Sequence, residues 1–293
     1  MQLPQRTRAY NGPITEAVRW DDFIPRKDDI FICTPAKSGT TWTQAICAML
    51  IFGRGDLEVQ PGNISPWLDA NFMPAEMVKG MLEAQTHRRY IKTHTALDGI
   101  RFFPECTYIC VYRDPRDAFF SMVNHFRNMN DERVHGSIPP DLREGFVNWA
   151  RAPYREGEAE QFALASWTNH FQSYWKFRDL PNIHIFHYAD MKRDLAGSIQ
   201  KIASAIGAPI SDEKAREFSQ AAEFSNMQKN AKTFAPGSGS GIWKEEAHFF
   251  RNGKSGQWRD VLTAEDLAIY DEALAKLLPP DQAAWLQNGS GGN

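Results

Sequence analysis

Four short, mostly apolar runs stand out along the chain. They cover residues 29–34, 89–92, 108–112 and 183–186 and are rich in β-branched and aromatic side chains. Such runs predict buried β-strands, because branched and aromatic residues pack well on a pleated surface. Small or polar residues follow each run directly, so every predicted strand ends at a group of candidate functional side chains.

Between these runs, apolar residues recur at the spacing of amphipathic helices. The first predicted helix covers Thr40–Phe52, and another begins at Pro115, a residue that suits a first helical turn. Further helices are predicted at about 160–178, 195–206, 211–221 and 264–277. Strands that alternate with helices predict an α/β fold with a mostly parallel sheet, in which ligands bind beyond the carboxyl ends of the strands.

Two stretches predict long surface loops of the kind that act as lids or substrate gates. Residues 128–160 are rich in charge and contain Pro139 and Pro140, and residues 229–250 contain the run PGSGSG. Residues 288–293 are a Gly/Ser-rich segment that predicts a disordered tail. The interpretation is a single domain over residues 1–287.

Composition narrows the class of protein. The 293 residues carry a formal net charge of −3, so no overall basic field indicates nucleic acid as a partner. No apolar run approaches the ~18–20 residues of a membrane span, and the polar N-terminus lacks a signal core, so we expect a cytoplasmic protein. The four cysteines lack paired metal-ligand spacing and are expected to be reduced thiols.

The first chemical motif is TPAKSGTTW, residues 34–42, between the first strand and the first helix. A glycine and several hydroxyls at a helix N-terminus form a phosphate cradle, to which Lys37 adds a positive charge. The alternative is an ordinary capped helix start. The loop differs from a Walker A motif, because Lys37 precedes Gly39 instead of following a glycine.

Two further motifs carry anion-binding side chains. In YRDPRDAFFS, residues 112–121, Arg113 follows the third strand and Ser121 lies two helical turns later. An arginine there can hold a phosphate bidentately, although an exposed Arg–Asp cluster is the alternative. In RNGKSGQWR, residues 251–259, two glycines and three cations form another candidate anion loop, with a flexible turn as the alternative.

Together, and in this order, the three motifs resemble those of the cytosolic sulfotransferase family over about residues 29–263, in a bacterial-like form. The resemblance implies one α/β domain with a central five-stranded parallel sheet and a P-loop-like phosphosulfate-binding loop. It implies an enzyme that moves a sulfuryl group from 3′-phosphoadenosine 5′-phosphosulfate (PAPS) to a hydroxyl of a small-molecule acceptor, without a metal. The product nucleotide is then adenosine 3′,5′-bisphosphate (PAP).

The resemblance also implies roles for individual residues. Lys37 would contact the bridging oxygen of the phosphosulfate, Trp42 would stack on adenine, and Arg113 with Ser121 would hold the 3′-phosphate. The other donor-binding residues that it implies are Ser38, Gly39, Thr40, Thr41, Tyr188, Phe224, Met227, Phe250, Arg251, Asn252 and Gly253.

The segment Lys92-Thr93-His94 follows the second strand and matches a K-T-H segment of the family. His94 is the predicted catalytic base, because a neutral imidazole takes up protons near pH 7. Lys92 and Lys37 are predicted to balance charge on the leaving oxygen. Among the other histidines, His87 and His125 are kept in reserve.

The chain departs from the family pattern at three places. Ala222 and Glu223 stand where the family usually has Thr-Ser, and Asn252 replaces a lysine, for which Lys254 is a candidate substitute. The family's dimer motif is poorly kept, so the sequence does not decide the oligomeric state.

The sequence leaves the acceptor open among phenols, alcohols and glycolipid-like molecules. Six large apolar residues are candidates for an acceptor pocket, or alternatively for plain core: Trp67, Phe72, Met73, Phe126, Trp149 and Phe162. Two other functions also stay open, a nucleotide-dependent small-molecule kinase and a non-catalytic nucleotide-binding module.

Overall fold

The computed structural model describes residues 2–57, 60–137, 139–250, 253 and 255–291. Four parallel strands form the sheet in this part of the chain, in the order β2-β1-β3-β4. They are β1 Ile30–Cys33, β2 Tyr90–Thr93, β3 Thr107–Tyr112 and β4 Ile183–His187. All four residues of β1 are buried, as expected for an inner strand of a parallel sheet covered on both faces.

The predicted α/β class is confirmed, but the expectation of five strands is wrong for the described residues. Beside β2, at one edge of the sheet, the structure has an isolated bridge between Trp67 and Lys92. The Lys92 amide donates to the Pro66 carbonyl, and the Leu68 amide donates to the Lys92 carbonyl. Pro66 has no amide hydrogen to donate, so the pairing cannot extend from the bridge toward the amino end of β2.

Helices cover both faces of the sheet. In chain order, α1 to α14 are Thr40–Phe52, Pro61–Ile64, Ala75–Glu83, Pro115–Asn128, Glu132–His135, Leu142–Arg151, Leu164–Trp175, Tyr188–Arg193, Leu195–Ala205, Asp212–Ala221, Phe224–Lys229, Ala231–Phe234, Ala264–Leu277 and Pro280–Asn288. Short 3-10 helices lie at Ala17–Trp20, Leu97–Gly99, Glu246–Phe250, Gln257–Asp260 and Gly289–Gly291.

Local sequence explains the boundaries of the two helices that matter most for the site. Helix α1 begins after Gly39, whose φ of 108° lies in the left-handed region, and ends at Gly53, with a φ of 69°. Helix α4 begins with Pro115, and the Asp114 side chain caps it by accepting from the Arg116 amide.

Both stretches predicted as loops contain regular structure, since α12 and the 3-10 helix Glu246–Phe250 lie within residues 229–250. Within residues 128–160, helix α6 begins after Asp141, whose carboxylate accepts from the amides of Arg143 and Glu144 at 2.8 and 2.9 Å. Pro139 and Pro140 precede this cap and therefore do not interrupt the helix. The density of charge and proline concealed an amphipathic helix that buries Phe146 and Trp149.

The end of the described chain also differs from expectation. Helix α14 continues to Asn288, and Gly289–Gly291 forms a 3-10 turn in which the Ser290 amide donates to Asp190 at 2.8 Å. This contact orders residues expected to lie in a disordered tail. The single domain over residues 1–287 stays a prediction. No helix within the described ranges has the length and apolar character needed to cross a bilayer.

The core has two layers, one on each face of the sheet. Aromatic side chains dominate the first, where Phe31 and Tyr108 stack at 5.2 Å and Phe119 packs on Trp149 at 5.3 Å. Aliphatic residues of α1 and α9 dominate the second. The two layers hold the strands so that their carboxyl ends open toward one side, where the candidate functional residues lie.

Candidate active site

A cavity of about 1380 Å³ lies beyond the carboxyl ends of the strands. Lys37, Arg113 and Gly253, one residue from each of the three sequence motifs, all line it. Of the other predicted site residues, the cavity is lined by Gly39, Thr40, Thr41, Trp42, Lys92, His94, Ser121, Tyr188, Phe224, Met227 and Phe250. Ser38 lies fully buried behind this wall. Arg251, Asn252 and Lys254 lie outside the described residues.

The loop before α1 has the features of an anion cradle. The left-handed Gly39 lets the chain turn sharply into α1, and a Cβ there would come within 3.2 Å of the Tyr188 ring. The Thr34 and Thr40 hydroxyls bond to each other at 2.5 Å. The Ser38 hydroxyl is buried, with no hydrogen-bond partner among the residues that the structure describes. An orphaned hydroxyl at a helix N-terminus fits a phosphate ligand.

Lys37 is a half-buried cation whose ammonium contacts neutral groups. Its Nζ lies 3.1 Å from His125 Nδ1 and 4.7 Å from the centre of the Phe249 ring. Burial, with repulsion from Arg113 and Lys92, lowers the pKa of Lys37 to about 7. A lysine in this state gains strongly from an anionic ligand, because the ligand replaces the water that its charge has lost.

His94 is held so that one ring nitrogen is defined as the base. Its Nδ1 lies 2.5 Å from the Thr34 carbonyl oxygen, which only accepts, so Nδ1 carries the hydrogen and Nε2 carries the lone pair. The Trp67 ring packs edge-on against the imidazole at 4.7 Å. Burial, and then Lys92, hold the pKa of His94 well below its usual range, so the ring is neutral near pH 7.

Lys92 completes a basic cluster around His94. Its Nζ lies 4.0 Å from the centre of the Trp67 ring, which therefore touches both the base and a neighbouring cation. Burial lowers the pKa of Lys92 to about 8, although the charge of Asp69 opposes the shift. Two lysines and one histidine near the ends of β1 and β2 thus face one cavity.

Aromatic side chains form the end of the cavity where a nucleotide base would fit. The rings of Trp42 and Tyr188 lie 5.2 Å apart, and Trp42 Nε1 donates to the Ala222 carbonyl at 2.8 Å. The Arg113 guanidinium lies 4.7 Å from the centre of the Tyr188 ring. Position 222 differs from the family pattern, but this hydrogen bond to Trp42 uses the backbone carbonyl of Ala222. It therefore does not depend on which side chain stands there.

The C-terminal loop joins this end through contacts that the sequence did not reveal. Gly253 has a φ of 54°, and a Cβ there would lie 2.6 Å from the Phe224 ring, so only glycine fits. Lys192 Nζ, also on the cavity wall, donates to the Gly253 carbonyl at 2.6 Å. Asp117 accepts from the Gly256 amide at 2.9 Å and thereby docks the loop on α4, the helix that carries Ser121.

The acceptor end of the cavity is apolar near His94. It is lined by five of the six predicted residues: Trp67, Phe72, Met73, Phe126 and Phe162. For Trp149 the alternative of plain core holds, because it is 2% exposed and packs against Phe119 and Phe146. Farther along, the lining becomes polar, with Thr15, Glu160, Gln161 and Asn169.

A buried carboxylate beneath the site is another residue that the sequence did not reveal. Asp69 Oδ2 accepts from the Thr93 and Thr95 hydroxyls, each at 2.7 Å, and from Trp20 Nε1 at 3.0 Å. These two threonines flank His94, so Asp69 fixes the chain on both sides of the candidate base. A lone Asp after Trp67 and Leu68 gives no sequence signal for this contact, which spans 24 residues.

The parallel α/β fold, the glycine turn at a helix N-terminus and the half-buried basic cluster together form a site suited to an anionic ligand. The chain belongs to the sulfotransferase family, because the family profile described as Sulfotransferase domain matches residues 27–280. It is therefore a sulfotransferase, an enzyme that transfers a sulfuryl group to an acceptor.

Individual relatives agree with this assignment. The chain is 36% identical over 310 residues to a glycolipid sulfotransferase of Mycobacterium bovis (strain BCG / Pasteur 1173P2), covering 97% of this chain and 95% of that protein. It is 27% identical over 258 residues to human sulfotransferase 1C2, covering 85% and 83%. Its fold resembles that of mouse sulfotransferase SULT7A1 complexed with PAP, with a TM-score of 0.72 at 20% identity and 93% coverage of both chains.

Proposed function

We propose that His94 is the general base of sulfuryl transfer and that Lys37 and Lys92 stabilise the charge that develops on the leaving nucleotide. The observation that carries this proposal is the Nδ1 contact of His94 with the Thr34 carbonyl, since it places the lone pair on Nε2 in a cavity shared with both lysines. PAPS supplies the sulfuryl group. The residues of the chain bind the donor, orient the acceptor and move one proton.

Donor binding is assigned to the basic and hydroxyl groups of the three motifs. Lys37, with the residues from Ser38 to Thr41, would hold the 5′-phosphosulfate at the N-terminus of α1. Arg113 and Ser121 would hold the 3′-phosphate, and Trp42 and Tyr188 the adenine. Lys192 is an additional cation at the 3′-phosphate end, where Asn252 replaces the usual lysine.

Proton transfer is assigned to Nε2 of His94. A pKa well below the usual range makes a free imidazole a weak base, but the negative donor raises that pKa by attraction to the imidazolium. The base therefore becomes competent when the donor is present. The Trp67 ring and the Thr34 carbonyl keep the imidazole in place while the proton moves.

The proposed chemistry requires no metal. Lys37, Lys92 and Arg113 supply fixed positive charges on the cavity wall, and fixed charges of this kind act strongly on a developing anion. A sulfuryl group carries less charge than a phosphoryl group, so these cations can take the part that Mg²⁺ has in kinases. Turnover in the presence of EDTA that equals turnover without it is the expected result.

The proposed acceptor is a hydroxyl on a glycolipid-like amphiphile. The apolar wall of Trp67, Phe72 and Phe126 suits an alkyl or ring portion, and the polar lining around Glu160 and Asn169 suits hydroxyl groups. The mycobacterial relatives at 36% identity are glycolipid sulfotransferases. Long-chain alkyl glycosides should therefore exceed simple phenols and free sugars in kcat/KM, and a free phenol that matches them would contradict this choice.

The donor assignment is tested by calorimetric titration with PAP and with ATP-Mg. Binding of PAP that is much tighter than binding of ATP-Mg supports it, whereas preferential binding of ATP-Mg would support a kinase. A sulfuryl-transfer assay on the same protein then separates an enzyme from a passive nucleotide-binding module.

The base assignment is tested by His94→Gln, with His184→Gln as a control on β4 outside the cavity lining. We expect kcat to fall about 10²–10⁴-fold in the first variant, the range for loss of a general base. Affinity for PAP should stay near the wild-type value. An unchanged kcat would remove His94 from the role of base.

A further inference from the structure

The ammonium of Lys37 has a neutral hydrogen-bond partner that lies on a different element of the fold. His125 lies in the last turns of α4, and its Nδ1 is 3.1 Å from Lys37 Nζ. From the sequence, His125 was only a secondary candidate for the catalytic base. In the structure its contact with Lys37 suggests another use.

The hydrogen bond has one sensible direction. An ammonium has only donors, so His125 Nδ1 must be the acceptor and its Nε2 must carry the hydrogen when Lys37 is charged. Burial, together with Lys37 and Lys92, holds the pKa of His125 well below its usual range, which keeps the imidazole neutral. Trp243 and Phe249 pack edge-on against the imidazole at 5.0 and 6.0 Å and limit its rotation.

We propose that His125 is a positioning residue that aims the Lys37 ammonium at the donor by accepting its hydrogen bond at Nδ1. This inference rests on the proposed function, in which Lys37 acts on the leaving nucleotide. His125 is not assigned a contact with the donor or with the acceptor hydroxyl.

A neutral acceptor suits this task better than a carboxylate. An Asp or Glu at 3 Å would orient Lys37 equally well, but it would cancel the charge and repel the phosphates of the donor. An imidazole orients the ammonium and leaves its charge available to the ligand. The neighbouring Phe249 ring, 4.7 Å from Nζ, has the same property, because a ring face attracts a cation without carrying a net charge.

The position of His125 on α4 strengthens the argument. Ser121 and His125 are four residues apart on this helix, so they lie on the same face, and both line the cavity. The backbone of Lys37 itself is in the left-handed region, with a φ of 64°. A long side chain that leaves such a turn needs a contact at its far end to define where the ammonium lies.

The test compares variants at position 125 that differ in which ring nitrogen they imitate. His125→Asn places an oxygen near the position of Nδ1, His125→Gln places its amide near Nε2, and His125→Leu removes both. Lys37→Met, the double variant Lys37→Met/His125→Leu and the control His184→Leu complete the set. For each variant, kcat, KM for PAPS, PAP affinity and thermal unfolding are measured.

We expect His125→Leu and His125→Gln to lower kcat by about 10²-fold, the cost of a catalytic group misplaced by about 1 Å. His125→Asn should retain most of the wild-type kcat. In the Lys37→Met background, His125→Leu should cause no further loss, because two residues that act through one interaction are not additive. His184→Leu should leave kcat unchanged.

Three results would overturn the inference: equal losses in the Asn and Leu variants, equal retention in both, or an undiminished effect of His125→Leu in the Lys37→Met background. If His125→Leu fails to fold, the comparison of Asn with Gln decides the question by itself. A Lys37→Met variant with wild-type kcat and PAP affinity would instead contradict the proposed function, whatever happens at position 125.

Discussion

Charged side chains lie at both ends of strands β1 and β2, but they have different partners. At the amino ends the partner is an opposite charge, and at the carboxyl ends the contacts are with neutral groups. At the amino ends, Asp29 and Arg89 form a buried ion pair in which Arg89 Nε donates to Asp29 Oδ1 at 2.7 Å, and a second guanidinium nitrogen bonds Oδ2. At the carboxyl ends, Lys37 and Lys92 are half-buried near His94, and their ammonium groups contact an imidazole and aromatic rings.

Burial disfavours the charged form at both ends, but among the described residues only the cation at the amino ends forms a direct ion pair with a carboxylate. A carboxylate within hydrogen-bond distance compensates Arg89. Lys37 and Lys92 lie within 4.0 Å of no carboxylate oxygen in the part of the chain that the structure describes, and their pKa values fall to about 7 and about 8. We infer that the ion pair at the amino ends stabilises the fold. The lysines at the carboxyl ends are left without a direct ion-pair partner so that an anionic ligand can pair with them.

The largest effect is expected from breaking the pair at the amino ends. Arg89→Met should lower the free energy of unfolding by about 3–5 kcal/mol, because Asp29 is left buried without its partner. Urea unfolding of the donor-free protein measures this. The double variant Asp29→Leu/Arg89→Met should recover much of the loss, and a double variant as unstable as the single one would show that packing, and not charge, dominates there.

The fold was largely predictable because the sheet of this protein depends on local patterns. The four strands and helices α1, α4, α9, α10 and α13 lie within a few residues of their predicted positions. The fifth strand came from the family resemblance alone, and Pro66 removes the amide that it would need. Helix α6 was missed because its cap at Asp141 directly follows a proline pair.

The second largest effect is expected at Lys37. Lys37→Met should lower kcat by about 10²–10³-fold, the cost of removing one fixed donor from developing charge, and it should weaken PAP binding. The same variant should unfold at a higher temperature than the wild type, since it removes a desolvated cation. A variant that loses both stability and activity would contradict this expectation. It would show that Lys37, like Arg89, stabilises the fold.

The site was predictable only where a motif is continuous in the sequence. Residues 34–42 and 92–94 follow strand ends, so the positions of Lys37, Lys92 and His94 could be foreseen. The residues that orient them could not, because His125 meets Lys37 across 88 positions and Asp117 meets Gly256 across 139. Single residues at such separations carry no pattern until the fold brings them together.

A smaller effect is expected at Lys92, where substitution should raise the stability of the donor-free protein and lower its affinity for PAP. Lys92→Met keeps an aliphatic side chain against Trp67 and removes the buried charge, which should stabilise the donor-free protein by about 1–3 kcal/mol. PAP affinity should fall at the same time. Differential scanning calorimetry with and without PAP measures both changes. A Lys92→Met protein that is less stable without donor would mean that Asp69 compensates Lys92 more fully than the lowered pKa indicates.

The smallest effect is the pH dependence of PAP affinity. It distinguishes Lys37 and Lys92 from the Asp29–Arg89 ion pair without any substitution. In the free protein Lys37 loses its proton near pH 7 and Lys92 near pH 8, and a bound anion raises both pKa values. Between pH 8 and 9 the free protein therefore binds fewer protons than the complex, so PAP binding takes up protons. By linkage its affinity falls as the pH rises, by up to about tenfold per pH unit for each lysine that must be recharged.

At pH 5 both lysines are already charged, and their contribution to this dependence disappears. Calorimetry at pH 8.5 in two buffers of different ionisation enthalpy measures the proton uptake directly, and the phosphates do not interfere because their second pKa is about 6. Lys92→Met should reduce the uptake, whereas the double variant at Asp29 and Arg89 should leave it unchanged, since that pair lies at the opposite end of the strands. Zero uptake in the wild type would mean that the lysines are already charge-compensated in the free protein, and the contrast between the two strand ends would be lost.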